Sequence, residues 1–292
     1  MQFLTILVSG VLLGAIYALV SVGLNLIFGV TRVVNFAQGE FVMFGMYGAY
    51  LGRAVLGLDP YVSAFVVAPL TFLLGAVVQR LVIQPLVEQQ SMQMFATFGL
   101  LILMQNLVLM LTGGAAKSVR TAYSGASLDV AGITVSVPRL VIFVLTTALT
   151  AALVVFLQRT MIGTAIRAVS QDRQAARLMG IDVERTYLLT FGLGAALAGV
   201  AGVLLAPLFT LTPEIGFSFI LPAFAVVILG GLGSVVGAYI GGIAVGVIEA
   251  LAGFYLDPSL KQTFWFVLFV AVLVVRPAGL LGRAGSEEVG AR

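Results

Sequence analysis

The sequence predicts an all-α polytopic membrane protein of about eight or nine transmembrane or re-entrant helices, in a single transmembrane domain over residues 1–292. Three observations carry that expectation. Apolar residues make up 61% of the chain and mean hydropathy is +1.15, beyond what a soluble domain sustains. Runs of about 20 apolar residues, the length that crosses a hydrocarbon core, follow one another nearly end to end. Charged residues are only 9%, yet Arg159, Arg167, Arg173, Arg177 and Arg185 crowd into one segment.

Taken in order, the apolar runs fall at 3–28, 36–56, 61–83, 93–112, 138–157, 187–209, 217–232, 235–256 and 262–276. The first lacks a basic start, exceeds a signal-peptide core and leads straight into further spans, so it is expected to stay in the mature protein. Between the first two runs, the stretch N-F-A-Q-G-E interrupts the apolar pattern and is a candidate broken or re-entrant element. Segment 113–137 is rich in Gly, Ser and Thr, ends in alternating β-type residues, and reads as an external loop with a short hairpin. The connection Thr210 to Phe217 lies on the same face, and the two could form one docking surface. Gly230 and Gly231 mark a break between the seventh and eighth runs.

Orientation follows from the positive-inside rule. Placing loop 158–186 in the cytoplasm also places Arg32, Arg80, Arg276, Arg283 and Arg292 there, ten of the 15 cations in all. Arg53, Lys117, Arg120, Arg139 and Lys261 fall outside, accompanied by Asp59, Asp129, Glu214 and Asp257. The N-terminus is then external.

Composition also excludes. Cys and His are both absent, which removes disulfides, zinc and haem ligation, cysteine nucleophiles and histidine bases. No catalytic residue and no metal site is assigned. A P-loop needs Gly followed by Lys, but Lys117 follows Ala116 and Lys261 follows Leu260, so G-G-L-G-S at 230–234 is not one. The chain is not expected to be an enzyme or to hold a cofactor; ATP and magnesium would belong to another subunit. No dense basic run suggests nucleic acid.

Glycine numbers 34, about 12% of the chain against a usual 7%. Gly48 and Gly52, and Gly233, Gly237 and Gly241, recur at four-residue spacing, which lets helix backbones approach closely in lipid or lines a moving interface. Polar residues within the apolar runs are candidates for a translocation path: Asn25, Asn35, Gln38, Glu40, Gln105, Asn106 and Glu249. Asn25, Gln105 and Asn106 are of the kind that more often serve as interhelical hydrogen bonders. Glu40 and Glu249 lie near run ends, where water can reach them.

Within the arginine-rich loop the pattern predicts two short helical pieces, the first capped by Thr164, the second by Ser170 or Asp172, and a stop at Gly180. Ala165, Ala168, Val169, Ala175, Ala176 and Met179 form one apolar stripe, with Arg167, Gln171, Gln174 and Arg177 pointing elsewhere. Such a face either inserts into a groove on a soluble partner or rests on lipid headgroups.

The stretch G-T-A-I-R-A-V-S-Q-D-R-Q-A-A-R-L-M-G-I resembles the cytoplasmic loop of branched-chain amino acid ABC transporter permeases, the H-type subunit of the high-affinity import systems. The segments G-A-I-Y-A-L-V-S-V-G-L-N-L-I-F-G-V-T-R-V-V-N-F-A-Q-G-E and A-V-V-I-L-G-G-L-G-S-V-V-G-A-Y-I-G-G-I-A-V-G-V-I-E-A-L resemble the same family, in order, over nearly the whole chain. One departure is Gln38, where the family often has His; a neutral amide hydrogen-bonds but does not titrate near pH 7. The resemblance implies the ABC importer permease fold. It implies partners as well: a second, related permease, two cytoplasmic ABC ATPases and an external or periplasmic substrate-binding protein, in a bacterial cytoplasmic membrane. It also implies that Gly163 to Gly180 couples to an ATPase, through Gly163, Arg167, Ala168, Asp172, Ala175, Arg177, Leu178 and Gly180. Branched-chain or other hydrophobic amino acids are the implied cargo. Urea, short amides or aromatic acids use the same scaffold, and a stand-alone secondary transporter would need coupling-ion ligands that are sparse here.

Overall fold

The computed structural model describes residues 2–119, 121, 123–130, 133–255, 261–275 and 279. The expected sidedness of Arg120, Asp257, Arg276, Arg283 and Arg292 falls outside the described residues. Eleven helices and one two-stranded hairpin make up the described fold. They run α1 Gln2–Thr31, α2 Gln38–Leu56, α3 Ala64–Val78, α4 Gln90–Thr112, β1 Ser127–Val130, β2 Ile133–Ser136, α5 Val137–Arg159, α6 Met161–Gln171, α7 Arg173–Leu178, α8 Val183–Leu205, α9 Phe217–Gly230, α10 Val235–Tyr255 and α11 Lys261–Val275. A π-helical turn, Gln79–Ile83, and a 3-10 turn, Gln84–Leu86, prolong α3.

Six helices, with α3 counted through Leu86, are long and apolar enough to cross a membrane. The remaining runs are helical but shorter or less apolar, and tertiary contacts set where α2 and α9 start. After α1, residues 32–37 leave helical geometry and fold back into the bundle, because the Gln38 amide donates to the Gly194 carbonyl, halfway along α8. The first turn of α2 therefore starts in the interior. Gly216, which precedes α9, packs its backbone on Gly39, so α9 starts at the same level from the other direction. Arg32 makes the fold-back, the sole non-glycine residue with positive φ (56°) among those described. Its N–H caps α1 on the Phe28 carbonyl at 2.9 Å.

The extended piece has its polar backbone satisfied by α4: the Thr97 hydroxyl donates to the Val34 carbonyl at 3.2 Å and accepts the Phe36 N–H at 3.3 Å. Phe36 then fits edge-on to Phe98 of α4 and tilted against Phe224 of α9.

Glycine decides how close the helices come. The most extensive pairing is α1 on α10, antiparallel, with Gly10 and Gly14 against Gly242 and Gly246. In the α2–α8 pair, Gly45 meets Gly199 and Gly202 backbone to backbone. Gly10 and Gly14, and Gly242 and Gly246, share the four-residue spacing of the expected stripes, but spacing does not show which stripe meets which. The expected stripes also pack: Gly237 and Gly241 face Gly230 of α9, Gly48 faces Val67 and Gly52 faces Ser63. Gly233 (φ 81°) and Gly231 (φ 105°) form the turn between α9 and α10, a backbone that disfavours other residues.

The hairpin and the α6–α7 pair lie at opposite ends of α5, whose 23 residues span about 34 Å. The connection between α4 and β1 is joined to the connection before α9 by a two-bond bridge, Lys117 N–H to Leu211 carbonyl at 3.0 Å and Leu211 N–H to Lys117 carbonyl at 2.8 Å.

Candidate functional site

At the α6–α7 end, Thr160 rather than Thr164 caps the first helix, its side chain accepting the Gly163 N–H at 2.9 Å. The expected cap sits one turn too late because α5 runs on to Arg159 and only Thr160, extended at φ −103° and ψ 154°, separates it from α6. Asp172, not Ser170, caps α7, accepting from Gln174 at 2.8 Å and Ala175 at 3.0 Å. Those two N–H donors, Ala175 foremost, hold its carboxyl below the usual range. Gly180 (φ 81°) ends α7.

The expected single apolar stripe does not form. Asp172 is extended (φ −151°, ψ 111°), and the break turns the two helices independently. Gly163 is buried against the backbones of Phe156 and Leu157 of α5, while Ile166, Val169 and Ala176 face inward, packing with Val22, Leu26 and Val30 of α1 and Leu153 of α5. Ala165 and Ala168 are half-buried, whereas Ala175 and Met179 face out. The outward set is Met161, Leu178 and Met179, 87%, 89% and 82% exposed, beside exposed Arg167, Ala175, Arg177 and Gly180.

The seven polar candidates separate into four roles. Asn25 is a clamp: its amide donates to the carbonyls of Gly231 at 3.1 Å and Ser234 at 2.8 Å and accepts the Gly233 N–H at 2.6 Å. It pins the α9–α10 turn to α1. Asn35 and Gln38 organise the start of α2, Asn35 accepting the Ala37 N–H at 3.1 Å and donating to Gln38 at 3.2 Å. Asn106 is exposed and donates to Ile102 of its own helix, so it does not line a path within this chain.

The two acids are buried rather than wet, against the expectation that placed them near span ends. Glu249 lies within α10 and accepts the Tyr17 hydroxyl at 2.7 Å. Glu40 is 0% exposed because the fold-back carries the first turn of α2 inside. Its Oε1 accepts the Gln105 amide from α4 at 3.1 Å, and its Oε2 has no hydrogen-bond partner among the described residues. Sequence reasoning also missed Thr97 and Tyr17, since a hydroxyl on an apolar helix carries no signal of its partner.

At the other end a cavity of about 510 Å³ opens between the two connections, lined by Val119, Thr121, Ser124, Pro207 and Phe209. Beside it Tyr123 stacks on Tyr61 at 6.1 Å and donates to Asp59 at 2.8 Å. That hydrogen bond holds the Tyr123 hydroxyl above its ordinary pKa.

A glycine-packed bundle of six membrane-capable helices, with two further helices whose starts meet in its interior, is the architecture of a membrane transport subunit. The chain belongs to the family described as branched-chain amino acid transport system / permease component, whose model matches residues 6–273. It is 33% identical to the high-affinity branched-chain amino acid transport system permease protein LivH of Escherichia coli, over 99% of this chain and 98% of that one. It is likewise 33% identical to BraD of Pseudomonas aeruginosa, with the same coverage, and 31% identical to a probable LivH of Methanocaldococcus jannaschii over 95% and 92%. No solved structure matches the chain with significance. The protein is thus a transport-system permease subunit, a multi-span membrane protein rather than an enzyme.

Proposed function

We propose that this chain is the translocating subunit of an ATP-driven importer of branched-chain or other hydrophobic amino acids in the cytoplasmic membrane. It would pair with a second permease, dock one of two cytoplasmic ATPases at α6–α7, and receive cargo from an external binding protein at the hairpin end. The observation that carries the reading is the outward set Met161, Leu178 and Met179 among exposed arginines. Large apolar side chains held out from a charged helix pair suit burial in a protein groove. The names of the LivH and BraD relatives support the cargo.

The coupling would be mechanical. Ile166, Val169 and Ala176 anchor the pair on the end of α1, and α6 follows α5 after a single residue. A displacement of the docked helices therefore reaches α1 and α5, and ATP-driven closure of the ATPases can bias inward against outward states.

The test is purification of the tagged chain from native membranes, followed by reconstitution with the binding protein encoded beside it. Two ATPase chains and a second permease should co-purify, and leucine uptake should require ATP. Leucine uptake by this chain alone, without ATP, would replace this reading with a stand-alone transporter.

A further inference from the structure

Among the described residues, Glu40 is the one acidic side chain that is fully buried and has an oxygen without a hydrogen-bond partner. Its surroundings are unusual for a carboxylate. It occupies the first turn of α2, and its Oε1 lies 3.0 Å from where a Cβ on residue 216 would stand, at the start of α9. Two interrupted helices thus present their N-termini to it from opposite directions. Gly39 and Gly216 permit this, since their backbones touch and leave no room for a side chain on either.

The side chain that meets the carboxylate from outside this junction is Gln105. It is half-buried on α4, next to exposed Asn106, and donates an N–H to Oε1 at 3.1 Å. A carboxylate with one oxygen occupied by a neutral N–H donor and the other unoccupied is a receptor for a stronger donor. The group that fits is a primary ammonium, with three N–H donors and a full positive charge.

We propose that Glu40 is a transient site for the ammonium group of the translocated solute, with the Gln105 amide as the placeholder it displaces. The proposal rests on the reading of this chain as an amino acid permease and deepens it. The positive ends of α2 and α9 offset part of the carboxylate's attraction, which keeps the site weak enough to release its solute. The solute's carboxylate is left to other groups, and its side chain passes among apolar residues.

The experiment uses the complete reconstituted importer with its binding protein and radiolabelled leucine. Glu40→Gln preserves size and hydrogen-bonding capacity but not charge, and is expected to cut leucine uptake at least tenfold while ATPase stimulation by the loaded binding protein persists. Gln105→Lys plants a tethered ammonium beside Glu40, and is expected to block uptake in a complex that still assembles. Unchanged uptake in either variant overturns the proposal, as does parallel loss of uptake and ATPase stimulation in Glu40→Gln, which would make Glu40 a structural brace. If Glu40→Gln fails to assemble, Gln105→Lys decides alone. Wild-type complex that takes up no leucine sinks the amino acid reading and this site together, whereas uptake retained by Glu40→Gln sinks the site only.

Discussion

The side-chain oxygen of Asn25 accepts the backbone N–H of Gly233 at 2.6 Å, across 208 residues of chain. The bond fixes the α9–α10 turn to α1 at a point where the turn cannot satisfy itself. The carbonyls of Gly231 and Ser234, which Asn25 also contacts, keep bonds from Ser234 and Ala238, but the N–H of Gly233 has no other acceptor among the described residues.

Asn25→Leu should therefore destabilise the subunit by about 1–3 kcal/mol, the cost of one buried donor left unsatisfied. Thermal unfolding in detergent is the measurement. A melting temperature equal to that of the wild type would show that another group takes over the Gly233 N–H.

Glycine contacts make a contrast within one protein. Gly45 touches the backbone of Gly199, so Gly45→Val should push α2 off α8 and cost upwards of about 3 kcal/mol, lowering the yield of folded protein. Gly99, with nothing within 4 Å of an added Cβ, should accept Ala with an unchanged melting temperature. Equal effects at both positions would contradict the packing.

Because the chain has no cysteine, single cysteines report sidedness directly. Gln174 on α7 and Ser127 on β1 are both exposed and stand at opposite ends of the bundle. Cysteine at Ser127 should react with an impermeant maleimide in intact cells, and cysteine at Gln174 only after lysis. Labelling of both in intact cells would invert or break the proposed topology.

Arg177→Glu and Ala175→Trp alter the outward face of α7 without touching the inward anchors Ile166 and Val169. Each should abolish stimulated ATPase and uptake while the subunit still inserts and folds, since one reverses charge and the other overfills a contact built for a methyl. Normal activity in both would leave the loop as a topology signal alone.

Free leucine should bind the permease pair weakly in the absence of binding protein, because a lone buried carboxylate offers a partner to only one end of a zwitterion. Calorimetry should give no heat at millimolar leucine. A dissociation constant of about 1 µM, roughly −8 kcal/mol, would contradict the expectation.

The helices, the hairpin and the break at Gly230 and Gly231 were legible because hydropathy, turn residues and glycine act locally. Depth was not. Glu40 looked wet because it falls five residues into an apolar run, but its burial depends on where residues 32–37 fold back, which Gln38 and Gly194 settle across 156 residues. The outward face of α7 was misread for a similar reason: one extended residue, Asp172, resets the helical phase, and a wheel drawn through it mixes two faces. Asn106 shows the converse, an amide in an apolar run that satisfies itself on Ile102.

The Lys117–Leu211 bridge makes the two connections at the hairpin end a single mechanical part. Leu211 is fully buried and stands five residues before Gly216, whose backbone rests on Gly39 beside Glu40. A shift of residues 113–119 passes through the bridge to residues 211–216, a run of turns that ends where Gly216 meets Gly39. The far end of the bundle is thereby linked to its interior by six consecutive residues, 211–216, and a rigid body that grips the connection around Lys117 also holds the lead to the first turn of α9.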